Sequence, residues 1–256
     1  IIEGIRLSFS TKLKYKHNDM GSLEKRLQQC DPEKIKLIVV DGVFSMEGDV
    51  CNLPEIVRLA KRYNANVMVD EAHGIGVMGD HGRGVCNHFG LTDEVDLIMG
   101  TFSKSFASLG GFIAGDKSVI NYLRHHARSY IFSASCTPAS TAAAAAALDI
   151  MLSEPERLAR LWELTHYSLN AFRSLGFEIG HTSTPIIPLF IRNNEKTFQI
   201  TRDAFEEGVF VNPVVSPAVA PSDTLIRFSL MATHTKEQLD FAIEKLHKVF
   251  KQNGVL

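Results

Sequence analysis

Between residues 35 and 115 the chain alternates short apolar, β-branched runs with amphipathic stretches: 35–40, a helical 54–63, 67–70, then 95–99 and 112–114. Runs this short and this uniformly apolar, separated by segments of helical period, predict an α/β domain with a largely parallel sheet whose strands are buried on both faces. In such sheets the chemistry collects at the carboxyl ends of the strands. The polar residues fall there: Asp41-Gly42 follows the first run, Asp70 closes the second, and Thr101 follows the third.

Downstream, residues 122–151 read as mostly helical apart from a turn over 131–138, and the alanine run 142–147 predicts a tightly packed helix too short to cross a bilayer. Ser153-Glu154-Pro155-Glu156 predicts a cap that opens a new helix with proline in its first turn. The boundary is placed there, giving a large domain over 1–152 and a small α+β domain over 153–256. The small domain is expected to run as a helix to about 175, a strand over 186–191, a helix over 197–207, short strands at 209–211 and 225–230, and a final helix from 236.

A chain of 256 residues with 45% hydrophobic and 22% charged residues can bury a substantial core. Its net charge of −2, without a run of basic residues, lacks the electrostatic footprint of a nucleic-acid binder. Cys30, Cys51, Cys86 and Cys136 form no CxxC pair and are expected as free thiols in a reducing cytoplasm. The 10 histidines form no HExxH and no carboxylate-flanked pair, so no metal centre is expected, and a G-x-S-x-G elbow is absent. The sequence starts at Ile1 without an initiator Met or a leader pattern, which suggests a piece of a longer protein.

The strongest local signal is GTFSKS at 100–105, which sets Lys104 among small hydroxyl residues straight after an apolar run. A partly desolvated lysine there has a lowered pKa and can form an imine; a surface lysine in a serine-rich loop is the plain alternative. Gly110-Gly111 follows, where a flat ring can lie against backbone. In VMVDEAH at 67–73, Asp70 is placed to keep a pyridinium nitrogen protonated, and His73 to bond or stack on the same ring; a turn cap and a satisfied polar histidine are the alternatives. Together the two motifs favour a cofactor site. GIGVMG at 74–79 spells a dinucleotide fingerprint, but it runs into more glycines instead of a helix.

Three weaker signals accompany them. Ser45, in DGVFSMEGD at 41–49, sits in a loop after a strand and can bond a ring or substrate, or only form a turn. Phe132 and Ser133, in IFSAS at 131–135, sit in a turn where hydroxyls can donate to phosphate or merely cap a helix. Arg227 lies in the apolar run LIRFSL at 225–230, where its fork needs a carboxylate from an amino-acid substrate or from its own domain.

Taken in order, DGVFSMEGD, VMVDEAHGIGVMGDHGRG, GTFSKSFASLGG, IFSAS and LIRFSLMATHT resemble the α-oxoamine synthases, fold type I pyridoxal-phosphate (PLP) enzymes that condense an amino acid with an acyl-CoA and release CO2. The resemblance runs from Ile1 to about Lys251. It implies a mostly parallel large domain lacking its N-terminal part, followed by the small α+β domain. It further implies Lys104 as the Schiff-base lysine, Asp70 at the ring nitrogen, His73 at the phenolic oxygen, Thr101 at the phosphate and Ser45 beside the ring. Phe132 and Ser133 are expected at the cofactor of a neighbouring subunit, which makes the protein a homodimer with shared sites, and Arg227 is expected to receive the substrate carboxylate.

Within the family, YKHNDM at 15–20 and NPVVSP at 212–217 are most similar to bacterial serine palmitoyltransferases, although some of these carry a second arginine where this chain has Val215. Serine and palmitoyl-CoA are then the expected substrates, in the first step of sphingolipid synthesis, with glycine C-acetyltransferase and 8-amino-7-oxononanoate synthase as alternatives within the family. A non-catalytic partner subunit is the alternative outside it, and the presence of Lys104 with Asp70 and His73 argues against that. A cytoplasmic protein without a transmembrane segment is expected, with peripheral membrane contact compatible with so lipid-like a product.

Overall fold

In the computed structural model, which describes residues 1–256, the chain opens with two helices, α1 (Ile2–Leu7) and α2 (Met20–Gln28), and then alternates strand and helix. The order is β1 (Leu37–Asp41), α3 (Leu53–Arg62), β2 (Asn66–Asp70), α4 (Val85–His88), β3 (Leu97–Thr101) and β4 (Gly111–Gly115). Strands β1, β2 and β3 are parallel neighbours, and β4 returns antiparallel along β3.

Helix α3 starts with Pro54 in its first turn and buries Leu53, Ile56, Val57, Leu59 and Ala60. With Leu23 and Leu27 of α2 it covers the sheet face carrying Ile38, Val40, Val67 and Val69, forming one core. The expectation of strands buried on both faces fails here. β1 and β2 bury only alternate residues and β4 is largely exposed, because within this chain helices α2 and α3 cover a single face. Asp41 and Asp70 end their strands directly opposite one another in register.

Three helices follow: α5 (Lys117–His126), α6 (Arg128–Ile131) and α7 (Pro138–Ser153). Thr137 caps α7 by accepting the Ser140 N–H, and Pro138 fits its first turn. The alanine run is helical as expected, but it is not tightly packed: Ala144 is its one buried residue, since little of this chain lies against α7. Ser153 is no cap either. Its hydroxyl donates back to Asp149 O at 2.7 Å within α7, and the next helix begins at Pro155 without a side-chain cap.

The second layer contains α8 (Pro155–Ser174), β5 (Ile186–Phe190), α9 (Asn194–Glu206), β6 (Asn212–Val214), β7 (Leu225–Ser229) and α10 (Lys236–Gln252), with an antiparallel sheet in the order β5-β7-β6. Phe172, Ile187, Leu189, Ile226, Leu246 and Phe250 fill its core. The strand expected at 209–211 lies three residues later. The Val209 N–H closes α9 on Ala204 O, and the ladder begins only where Asn212 meets Arg227.

Hydrogen bonds from four side chains join the layers. Arg227 Nε–H donates to Ser45 O at 2.7 Å, and Trp162 Nε1–H to Val77 O at 2.9 Å. The Thr184 hydroxyl donates to Gly48 O at 2.8 Å, and the Thr182 hydroxyl, 3.0 Å from the same oxygen, lies closer to Ile186 O at 2.6 Å. All four cysteines are free thiols, and no helix is long and apolar enough to cross a membrane.

Candidate functional site

The strand ends build the site. Asp70 Oδ1 accepts the Ala72 N–H at 2.8 Å, and the N–H groups of Gly74 and Ile75 both donate to Glu71 O at 2.9 Å. This tight turn carries His73, half-buried and without a side-chain hydrogen bond to the chain. Burial, followed by the charges of Lys104 and Arg227, pushes the His73 imidazole down to about 4, so it is neutral at neutral pH. Burial and the facing Asp70 raise the Asp41 carboxyl above its ordinary value.

Lys104 sits on a loop closed at its base. The Thr101 hydroxyl donates to Gly110 O at 3.2 Å and lies 2.9 Å from the Ser103 hydroxyl, while Phe102 N–H bonds Gly110 O at 2.9 Å. A Cβ at Gly111 would stand 2.5 Å from Gly100 O, so the close approach of β4 to β3 needs glycine there. The Ser105 hydroxyl donates to Ile75 O at 2.9 Å and ties this loop to the His73 turn. Desolvation lowers the Lys104 amine; Asp70 and Asp41 oppose that shift and Arg227 adds to it.

Arg227 faces the same cluster from β7. Its Nε binds Ser45 O and its Nη1 donates to the Ser229 hydroxyl at 2.7 Å, and it forms no ion pair with any carboxylate of the chain. The internal acid that could have explained this arginine is therefore not there. Ser45 contributes its carbonyl to the contact and is itself half-buried. Phe132 and Ser133 stand apart. Both are exposed, the Arg128 guanidinium lies over the Phe132 ring at 5.6 Å, and the Ser133 hydroxyl is turned onto Ser129 O of the preceding helix α6.

Two groupings were invisible to spacing alone. Glu71, next to Asp70, is completely buried. His17 Nε2 lies 3.1 and 3.0 Å from the two Asp49 oxygens, with Glu47 beside them, a cluster of metal-ligating types assembled across 32 residues of sequence. Only the run of glycines after Glu71 hinted at either.

The donor set fits pyridoxal phosphate. Asp70 keeps Oδ2 free of protein donors for a ring nitrogen, Lys104 offers an amine lowered by desolvation, and neutral His73 has both ring nitrogens unengaged. Thr101 and Ser103 offer hydroxyls at the loop base.

The pattern of the family described as aminotransferase class I and II matches residues 1–246. Serine palmitoyltransferase from Bacteroides thetaiotaomicron is 69% identical over the whole chain, and 8-amino-7-oxononanoate synthase from Thermosipho melanesiensis is 47% identical over the same span. Among solved structures, a variant serine palmitoyltransferase from S. paucimobilis with bound PLP–myriocin aldimine superposes with a TM-score of 0.96 at 31% identity, over 100% of this chain and 65% of that one. The chain spans 65% of the length of the Bacteroides relative.

Proposed function

Starting from the fact that the chain belongs to the aminotransferase class I and II family, we propose that it forms the cofactor- and carboxylate-binding part of a PLP-dependent α-oxoamine synthase that condenses L-serine with a long-chain acyl-CoA. The observation that carries this reading is Arg227: half-buried, without an acid partner, and near enough to His73 and Lys104 to shift both. The identity of 69% to a serine palmitoyltransferase, against 47% to an 8-amino-7-oxononanoate synthase, favours serine as the amino acid and palmitoyl-CoA as its partner.

Pyridoxal phosphate, when bound, supplies an imine-forming aldehyde and a ring that takes up the electrons released at the amino acid's α-carbon. Lys104 would hold the aldehyde, Asp70 the ring nitrogen, His73 the phenolic oxygen and Thr101 the phosphate, with Ser45 alongside. Nη2 of Arg227, which has no partner in the chain, receives the substrate carboxylate. Lys104 then accepts the α-proton, a task suited to an amine that desolvation keeps below its ordinary pKa. His73, neutral and unengaged, donates or accepts one hydrogen bond without adding charge.

We divide the chain into a large domain over 1–152 and a small one over 153–256. Phe132 and Ser133, exposed here, are read as contributions to the site of a second subunit in a cytoplasmic homodimer. The test is the serine-induced change in visible absorbance of the full-length protein with pyridoxal phosphate, followed by product mass with a series of acyl-CoAs, and with glycine and alanine in place of serine. A 3-oxo amino product from serine is expected; turnover with glycine or alanine alone overturns the substrate, and no visible band after cofactor addition overturns the enzyme reading.

A further inference from the structure

The glycines of residues 74–84 have a purpose other than nucleotide binding. Glu71 is 0% exposed, and its carboxyl group lies where three glycines leave room for it. A Cβ at Gly74 would lie 1.9 Å from Glu71 Oε2, one at Gly84 2.6 Å from Cδ, and one at Gly42 3.1 Å from Oε2. Oε1 accepts the Cys86 N–H at 2.8 Å, while Oε2 has no hydrogen-bond partner. The groups around it are the Val85 and Cys86 amides, the Cys86 thiol and the Asp70 carboxylate, with no cation among them. An ionised carboxylate so enclosed is costly, and burial holds this one above the ordinary glutamate range.

The carboxyl group also closes a loop. Residue 71 opens it at the end of β2, Cys86 ends it, and Gly76 N–H to Gly82 O and Gly84 N–H to Met78 O, both 2.7 Å, brace the interior. His73 sits on its first turn, and Ile75 O receives the Ser105 hydroxyl next to Lys104. We propose that Glu71 is a positioning residue for His73: by holding the Cys86 amide it closes the 71–86 loop and fixes the turn that sets the imidazole beside Lys104 and Arg227. Glutamine, which keeps an acceptor oxygen in the same place without the charge, is the conservative replacement. The role rests on the reading of His73 and Lys104 as cofactor-site residues, and its test separates the two.

The test follows the His73 ring by NMR in full-length protein labelled at histidine Cε1, without cofactor, alongside a separate visible titration with pyridoxal phosphate. Glu71→Gln is expected to leave both as in wild type. Glu71→Leu, which cannot accept the amide, should raise the His73 titration by about one unit or more toward its ordinary value and weaken cofactor binding roughly tenfold or more. Gly74→Ala, which displaces the carboxyl group without removing it, should do the same and decides the matter if Glu71→Leu does not fold. An unmoved His73 titration in Gly74→Ala or Glu71→Leu overturns the proposal, as does a glutamine variant as disturbed as the leucine one. Wild type that fails to bind the cofactor while the His73 titration moves as described overturns the functional reading and leaves the positioning role standing.

Discussion

Arg227 Nε–H reaches the main-chain carbonyl of Ser45 at 2.7 Å across 182 residues of sequence, so the arginine assigned to the substrate carboxylate is also a bolt between the two layers. Nε–H is used by that contact and one N–H of Nη1 by Ser229, and Nη2 has no partner in the chain. Replacement by Lys keeps a charge but loses the planar fork. With charged hydrogen bonds contributing about 1.5–3 kcal/mol, Arg227→Lys should weaken serine binding by roughly tenfold or more and leave acyl-CoA binding nearly unchanged. Spectral titration of the full-length variant with serine, beside one with acyl-CoA, checks this; unchanged serine affinity would show Arg227 to be a bolt alone.

Lys104→Ala should abolish the borohydride-reducible link to the cofactor while leaving the thermal midpoint nearly in place. The residue is exposed, with its amine partly desolvated, and surface changes of this kind fall within about 0.5 kcal/mol. Retention of a reducible link would remove Lys104 from its role.

Asp70→Asn should keep the turn, because an amide oxygen can still accept the Ala72 N–H. What it loses is the charge that holds a ring nitrogen protonated, so turnover should drop by about two orders of magnitude or more with cofactor still bound. Near wild-type rates in a steady-state assay would reduce Asp70 to a turn residue.

His73 gives a pH signature. Its folded value of about 4 lies below the ordinary 6.5, so between those limits the unfolded chain binds the extra proton and stability falls as pH falls, levelling off below about 4. His17 and the raised carboxyls of Asp41 and Glu71 also titrate, which makes the difference from a variant the useful quantity. Relative to His73→Gln, wild type should lose stability as pH drops through the window from 6.5 to about 4 and hold a constant difference above it. Urea unfolding of both proteins at several pH values measures this; a flat difference across the window contradicts the burial of a neutral ring.

Gly48 O accepts from Thr184 and lies within reach of Thr182, whose single proton, nearer Ile186 O at 2.6 Å, can turn to Gly48 O when Thr184 is lost. Thr184→Val alone leaves Thr182 Oγ1 3.0 Å from Gly48 O to take over the bond, and a loss of about 1 kcal/mol is expected, whereas Thr182→Val with Thr184→Val strands a buried carbonyl at a further cost of about 1–3 kcal/mol. A double-mutant cycle in chemical denaturation should therefore exceed additivity.

Much of this was legible in local pattern. Apolar runs ending in Asp41, Asp70 and Thr101 announced β1, β2 and β3, and the placement of Lys104 and Arg227 followed from strand ends and a lone cation in an apolar run. What escaped depends on contacts far apart in sequence. The burial of Glu71 is set jointly by Gly42, Gly74 and Gly84, and His17 meets Asp49 only after α2 folds against the sheet. The valines at 209 and 211 are buried and mimic a strand, but their backbone lies before the point where a neighbouring strand can pair with it.

The side-chain hydrogen bonds that join the layers all end on main-chain carbonyls, those of Ser45, Gly48 and Val77. Only at 48 does the joint dictate the residue, since a Cβ there would come within 2.1 Å of Ile186 O. Positions 45 and 77 give these hydrogen bonds only a carbonyl, so the bonds themselves make no demand on the side chain. Mutational drift can thus change the side chain at Ser45 without the two halves of the molecule losing this joint.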